Sequence, residues 1–169
     1  MKIATSYTPS RPYVGNIAII GFAKDVPLKN KFIASLVAMV FTVKGYNIIA
    51  GNVLGTFGYA FGAAKMMGGR TLAIVDDDIS SLPRYIDQVL YIPSVMKKHE
   101  NVALLSSAAI IIGGGDKSLH LAREFIKQGK PIIAITGTHG IVDSEVQPLG
   151  IKVSRFFAAI RYVTSKLTY

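Results

Sequence analysis

No stretch limits the fold of this chain more than Ile110-Ile111-Ile112-Gly113-Gly114-Gly115-Asp116-Lys117-Ser118. Three β-branched residues in a row suit a strand buried on both faces. The glycines behind them lack a Cβ, so the chain can turn sharply and a ligand can approach the backbone. Leu121, Ala122, Phe125 and Ile126 then share one side of a helix that Gly129 is placed to end, and Ser118 reads as its N-cap. Strand, glycine loop and helix N-terminus in this order aim free amides and the positive end of a helix dipole at one spot. That predicts an anion site, with phosphate as its ligand.

The same alternation runs along the chain. Strands are expected at Asn16–Phe22, Tyr46–Ala50, Thr71–Val75, Val89–Ile92 and Pro131–Ile135, with a short last one at Ile151–Val153. Between the first two lies an apolar helix ending at Gly45, with Asp25 as its cap and Pro27 in its first turn. Its rows, Phe32, Leu36 and Val40 beside Ile33, Val37 and Val43, leave little polar face, so further cover is expected over it. A helix over Pro93–Ser107 carries Lys97, Lys98 and His99, and Ser154 reads as the cap of a final helix with Phe157, Ile160 and Val163 inward. Strands and helices joined this closely predict an α/β fold: a Rossmann-like, doubly wound, mostly parallel sheet of about six or seven strands with helices on both faces. In such sheets ligands sit beyond the carboxyl ends of the strands, near the reversal of strand order. Gly21–Asp25, Gly51–Thr56, Gly113–Ser118 and Thr136–Gly140 all follow strands and converge on that edge. Residues 1–15, with two prolines and two tyrosines, read as an irregular arm, and 16–169 as a single nucleotide-binding domain.

Composition excludes several classes. Half of the residues are apolar and 17% are charged, which argues for a packed core against disorder. Phe32–Val43 is too short to span a bilayer, and no apolar run follows Lys2 as a secretory signal would require, so no membrane association is expected. The absence of cysteine removes thiolate metal sites and cysteine nucleophiles, and fits a cytoplasmic protein. Nineteen Lys and Arg against ten Asp and Glu give a net charge of +9, which favours anionic partners. The basic residues are scattered, however, so nucleic acid is not the expected partner; a phosphorylated small molecule is.

The Gly113-Gly114-Gly115-x-x-Ser118 loop, the Gly51-x-x-x-Gly55 loop and the Gly129-Lys130-Pro131-Ile132-Ile133 strand entry together resemble one superfamily over residues 16–169. It comprises the "lysine decarboxylase-like" Lonely Guy phosphoribohydrolases and the molybdenum-cofactor carrier proteins. The resemblance implies a Rossmann-like nucleotide-binding domain, a homodimer or higher homo-oligomer, and a nucleotide or molybdopterin-type ligand held by its phosphate. Enzymes of the family carry Pro-Gly-Gly-x-Gly-Thr-x-x-Glu, the glutamate acting with an upstream arginine on the N-glycosidic bond. Here Ser118 stands for the threonine and Lys117 for the last glycine. Leu121, or His120 in a register shifted by one, takes the glutamate position, and the arginine region offers Lys97, Lys98 and His99. Phosphate binding survives these changes; glycosidic cleavage by the family's route does not follow.

The phosphate- and ligand-binding candidates are therefore Gly21, Gly51, Asn52, Gly55, Thr56, Gly113, Gly114, Gly115, Asp116, Lys117, Ser118, Thr136 and Gly137, with His120 and Lys98 the weak catalytic ones. His120 and His139 follow neighbouring strands and would suit an acid–base pair if they met. Asp76-Asp77-Asp78 has oxygen ligands for a hard cation but no regularly spaced partners, so no metal site is expected. Gly51-x-x-x-Gly55-x-x-Gly58 and Tyr162-x-x-x-Lys166 touch dehydrogenase patterns without the frame those need. Three functions stay open: binding of a phosphorylated ligand without cleavage, hydrolysis of a nucleoside 5'-monophosphate, and a regulatory or structural oligomer with a vestigial pocket.

Overall fold

A computed structural model describes residues 14–77 and 79–168. The sheet has seven strands: β1 (Gly15–Gly21), β2 (Tyr46–Ala50), β3 (Thr71–Val75), β4 (Gln88–Tyr91), β5 (Ala108–Ile112), β6 (Ile132–Ile135) and β7 (Lys152–Ser154). Their order is β4-β3-β2-β1-β5-β6-β7, and every neighbouring pair is parallel. The helices are α1 (Leu28–Val43), α2 (Thr56–Met66), α3 (Val95–Leu105), α4 (Asp116–Lys127), a single turn α5 (Ile141–Ser144) and α6 (Phe156–Leu167). This is the doubly wound, Rossmann-like α/β fold, with the sheet parallel throughout.

Two-residue alternation divides the core. Ile17, Ile19, Ile48, Ile110 and Ile112 face α1, α2 and α6, while Ala18, Ile20, Ile49, Ile74 and Ile111 face α3, α4 and α5. A central strand in such a sheet has no wet face, which is why β5 reads as an unbroken apolar run and β1 is apolar from Ile17 to Ile20. Strand order reverses between β1 and β5. The chain leaving β1 enters a helix on one face and the chain leaving β5 a helix on the other, so a crevice opens between their loops.

Several helix ends differ from the sequence expectations. Asp25 does not cap α1; it sits outside the helix at φ 49°, and Pro27, whose missing N–H costs nothing there, takes the cap position. Ser154 closes β7, and Arg155 precedes α6 without a side-chain cap. Phe157, expected inward, is 78% exposed, because Ala159, Ile160 and Val163 set the buried side of α6. On α1 the packed row is Ile33, Ala34, Val37, Ala38 and Phe41. Leu28, Phe32, Leu36 and Val43 face outward, so within one chain the helix lacks the second cover its sequence calls for. Gly15, placed with the arm by the sequence reading, begins β1, and residues 1–13 lie outside the described residues.

Lys130, in the turn before β6, ties the second face together. Its Nζ donates to the carbonyls of Ala103, Leu104 and Ser106 at 2.6 Å each, closing the C-terminal end of α3 with a positive charge.

Candidate functional site

The crevice holds a cavity of about 500 Å³ at the carboxyl edge of the sheet. Its wall comes from the loop after β1 (Gly21 to Lys24), the loop after β2 (Gly51, Asn52), the end of β3 (Asp76, Asp77), the start of α3 (Lys98, His99) and the first turn of α4 (Gly115 to Ser118), with Phe57 and Leu121 as apolar lining. These five segments meet here because every one follows, or caps the crossover from, a strand pointing the same way.

Helix α4 presents its N-terminus to this cavity. Its first i→i−4 bond is Leu119 N–H to Gly115 O at 3.1 Å, which leaves the amides of Asp116, Lys117 and Ser118 without an intrahelical acceptor. No side chain caps the helix. Ser118 is not the cap: it lies inside the first turn, 8% exposed, and its hydroxyl donates to Gly21 O at 3.0 Å, locking α4 onto the end of β1. Its oxygen retains lone pairs, but its proton is committed to the protein.

The three glycines divide by role. Gly113 and Gly114 are buried, at φ 75° and 112°, in the left-handed half of backbone space that L side chains rarely occupy. A Cβ on Gly113 would stand 2.6 Å from Thr138 O, and one on Gly114 2.6 Å from Ser118 Cβ. These two make the turn and the close packing of strand on helix. Gly115 is exposed and borders the cavity, and a Cβ there meets nothing within 4 Å.

Among the other expected ligand residues, Gly21, Gly51, Asn52, Gly115, Asp116, Lys117 and Ser118 line the cavity, whereas Gly55, Thr56, Gly113, Gly114, Thr136 and Gly137 do not. Asn52 Oδ1 accepts from Val53 N–H at 2.7 Å and Leu54 N–H at 3.2 Å, holding the β2–α2 turn. Thr56 is fully buried against Gly21 and acts in packing. His120 and His139 are not brought together as a pair: His120 is exposed on α4, and His139, at φ 63°, approaches Asp143 Oδ2 at 3.5 Å. Tyr162 and Lys166 stack on each other on α6, outside the cavity.

Lys98 and His99, left open between a phosphate contact and a wet helix face, are both buried in the cavity wall. Lys98 Nζ donates to Asp76 Oδ1 at 2.6 Å. Burial alone would raise the Asp76 carboxyl, but the hydrogen bond and charge of Lys98 outweigh it and hold the group below the usual carboxylate range. His99 is pushed down to about 4 by burial first and the Lys98 charge second, so it is a neutral imidazole near pH 7. Asp76 was visible in the sequence only as one of three aspartates; the ion pair depends on two crossovers bringing β3 and α3 together. Asp78 lies outside the described residues.

The charges at the wall are mixed. Lys98 offsets Asp76; Lys24 and Lys117 remain as cations, with Asp77 and Asp116 opposing them. The wall therefore carries no large net charge, and what it could offer an anion is directed amides and individual lysines, not a net positive field.

No protein-family model matches the sequence, and no curated protein does. Solved structures do. The molybdenum cofactor binding protein of Rippkaea orientalis superposes with a TM-score of 0.80 at 17% identity, covering 91% of this chain and 98% of its own. The molybdenum cofactor carrier protein of Chlamydomonas reinhardtii gives 0.77 at 19% identity, over 90% and 98%. DNA processing protein A of Helicobacter pylori, which binds single-stranded DNA, gives 0.72 at 19% identity, over 92% and 81%. At these identities the likeness is one of fold. Because that fold serves both a cofactor and a nucleic acid, the ligand must be argued from the cavity.

Proposed function

We infer that the protein binds a phosphorylated small ligand, a nucleotide or a molybdopterin-type molecule, at the carboxyl edge of its sheet, and does not cleave it. The observation that carries this is the uncapped N-terminus of α4 opening into a cavity of ligand size, with Lys24 and Lys117 beside it. The phosphate takes the free amides of residues 116–118. The molybdenum cofactor binding and carrier proteins that share the fold support a ligand of this class.

Cleavage of an N-glycosidic bond needs a proton donor or an ion-pairing group beside the bond. Where the family's enzymes place a glutamate, Leu121 lines this cavity, 5% exposed, and an alkyl side chain does neither. His120 is exposed and outside the cavity wall, and Lys98 is held by Asp76. The reading includes a homo-oligomer, supported by the outward apolar row Leu28, Phe32, Leu36 and Val43 on α1 with Met66 on α2. It also includes a cytoplasmic location, supported by the cysteine-free composition. No helix among the described residues is long and apolar enough to cross a membrane.

The test is a thermal-shift titration with nucleoside monophosphates and ribose 5-phosphate, run beside an assay for released base. Stabilisation should approach about 2.7 kcal/mol at a hundred times the dissociation constant, with no free base. Release of base at an enzymatic rate would replace this reading with the hydrolase; no stabilisation by any phosphorylated compound would leave the vestigial pocket.

A further inference from the structure

The cavity wall beside the first turn of α4 has its own chemistry, and Lys117 of α4 lies within electrostatic reach of both Asp76 and His99. Asp76 leaves β3, Lys98 and His99 stand near the start of α3, and all three line the same cavity as the first turn of α4, so a ligand anchored by phosphate at α4 brings its remaining part against them. His99 lines the cavity with 6% of its surface exposed, and its imidazole has no hydrogen bond among the described residues. Buried polar groups in folded proteins are almost always bonded. The ring's donor and acceptor are thus left for whatever fills the cavity, and as a neutral imidazole it offers one of each.

We propose that Asp76, Lys98 and His99 form a heterocycle-reading corner, selective for the amino-oxo pyrimidine edge that guanine and pterins share over the amino edge of adenine. This rests on the phosphate reading above, which fixes the other end of the ligand. Asp76 and Lys98 form a pair of zero net charge, a poor second phosphate site but a suitable partner for an uncharged ring. A carboxylate only accepts, and it accepts best from two parallel N–H groups. The amino-oxo edge has such a pair, its ring N–H and its exocyclic amino group, next to a carbonyl that can take a further N–H from Lys98. Adenine places a ring lone pair beside its amino group, so the carboxylate would meet one donor and one repelling lone pair. Lys98, with 7% of its side chain exposed, holds Asp76 Oδ1 at 2.6 Å and fixes the carboxylate, and Phe57 adds an apolar surface for the ring.

Titration calorimetry of the whole chain with ribose 5-phosphate, AMP, IMP, GMP and 6-hydroxymethylpterin tests this. GMP should bind about tenfold or more tighter than AMP, the loss expected for one half of a bidentate contact. IMP, which keeps the ring N–H but lacks the amino group, should fall between them. The unphosphorylated pterin should displace GMP if a pterin fills the corner; GMP preference without displacement assigns the edge to a guanine nucleotide, and both outcomes support the proposal. Asp76→Asn should bring the GMP-to-AMP ratio to within about twofold. Should that variant not fold, His99→Leu is read instead, and should weaken GMP more than ribose 5-phosphate. AMP binding as tightly as GMP while ribose 5-phosphate binds would overturn the corner and leave the phosphate site standing. Failure of ribose 5-phosphate and every nucleotide to bind would overturn both.

Discussion

Alanine at Gly114 and alanine at Gly115 differ by one position and should behave as opposites. At Gly114 the backbone is at φ 112°, and a Cβ would lie 2.6 Å from Ser118 Cβ and closer still to Ser118 Oγ. An L side chain in that region costs about 1–3 kcal/mol, and forcing a methyl into a packed site adds about 1–3 kcal/mol. The new methyl also pushes on the Ser118–Gly21 hydrogen bond that locks α4 to β1. Gly114→Ala should therefore destabilise by about 2–6 kcal/mol, lowering Tm by roughly 5–20 °C for a domain of this size. At Gly115 φ is −119°, which any residue adopts, and the Cβ meets nothing. The smaller entropy of the unfolded chain then makes Gly115→Ala neutral or stabilising by up to about 1 kcal/mol. Its methyl stands at the mouth of the amide cradle, so ribose 5-phosphate should bind about tenfold more weakly, the loss of one charge-assisted hydrogen bond. Urea unfolding followed by circular dichroism reads the first pair of numbers and calorimetry the last. Two results would refute the reasoning: Gly114→Ala within about 0.5 kcal/mol of the natural chain, or Gly115→Ala binding phosphate with undiminished affinity.

Lys117→Glu reverses a charge at the cavity mouth and should weaken phosphate binding by about tenfold or more while leaving Tm nearly unchanged, since the side chain is exposed; a calorimetric titration checks both. Lys130→Met removes three bonds to carbonyls at the end of α3. Water can reach part of that cluster, so the cost should be about 2 kcal/mol and not the sum of three charged bonds, visible as an earlier urea midpoint. His99 sets an acid limb. Its folded value of about 4 lies below the ordinary 6.5, so the unfolded chain binds the proton more readily, and this stability is complete above 6.5 and lost as pH falls toward 4. The loss is about 3 kcal/mol over that window, and His99→Gln should flatten the profile measured by denaturant unfolding from pH 7 to 4. Asp76, held below its ordinary value, adds a further loss only at lower pH, as its carboxylate protonates and releases Lys98.

What could be read from the chain alone follows the range of the interactions. β2 and β3 run over the stretches the sequence marks, Tyr46–Ala50 and Thr71–Val75, because each apolar stretch is bounded by a glycine or a charged residue that a buried strand does not carry. Gly45 and Gly129 stop α1 and α4 at positive φ, a local requirement written in single residues. Caps were less legible, since a serine or aspartate near a helix start has competing partners. Ser118 spends its hydroxyl on a carbonyl 97 positions earlier in the chain, which no local motif encodes. Thr56 spends its bulk against Gly21 in the same way.

The site divides along the same line. Its phosphate end is local, one strand, one loop and one helix turn within ten residues, and the cavity opens at the last glycine of that stretch. The rest of its wall is assembled from positions 76, 98 and 99, whose residue types alone suggest a metal-binding loop or a solvated helix face. They line one cavity because β3 ends and α3 begins beside the same crevice, so that burial pairs Lys98 with Asp76 and leaves His99 neutral. A reversal of strand order thus supplies a site with two independent parts. In the function proposed above, the glycine loop would hold the phosphate, while the side chains at the neighbouring strand ends, which make no part of that loop, would decide which molecule the phosphate belongs to.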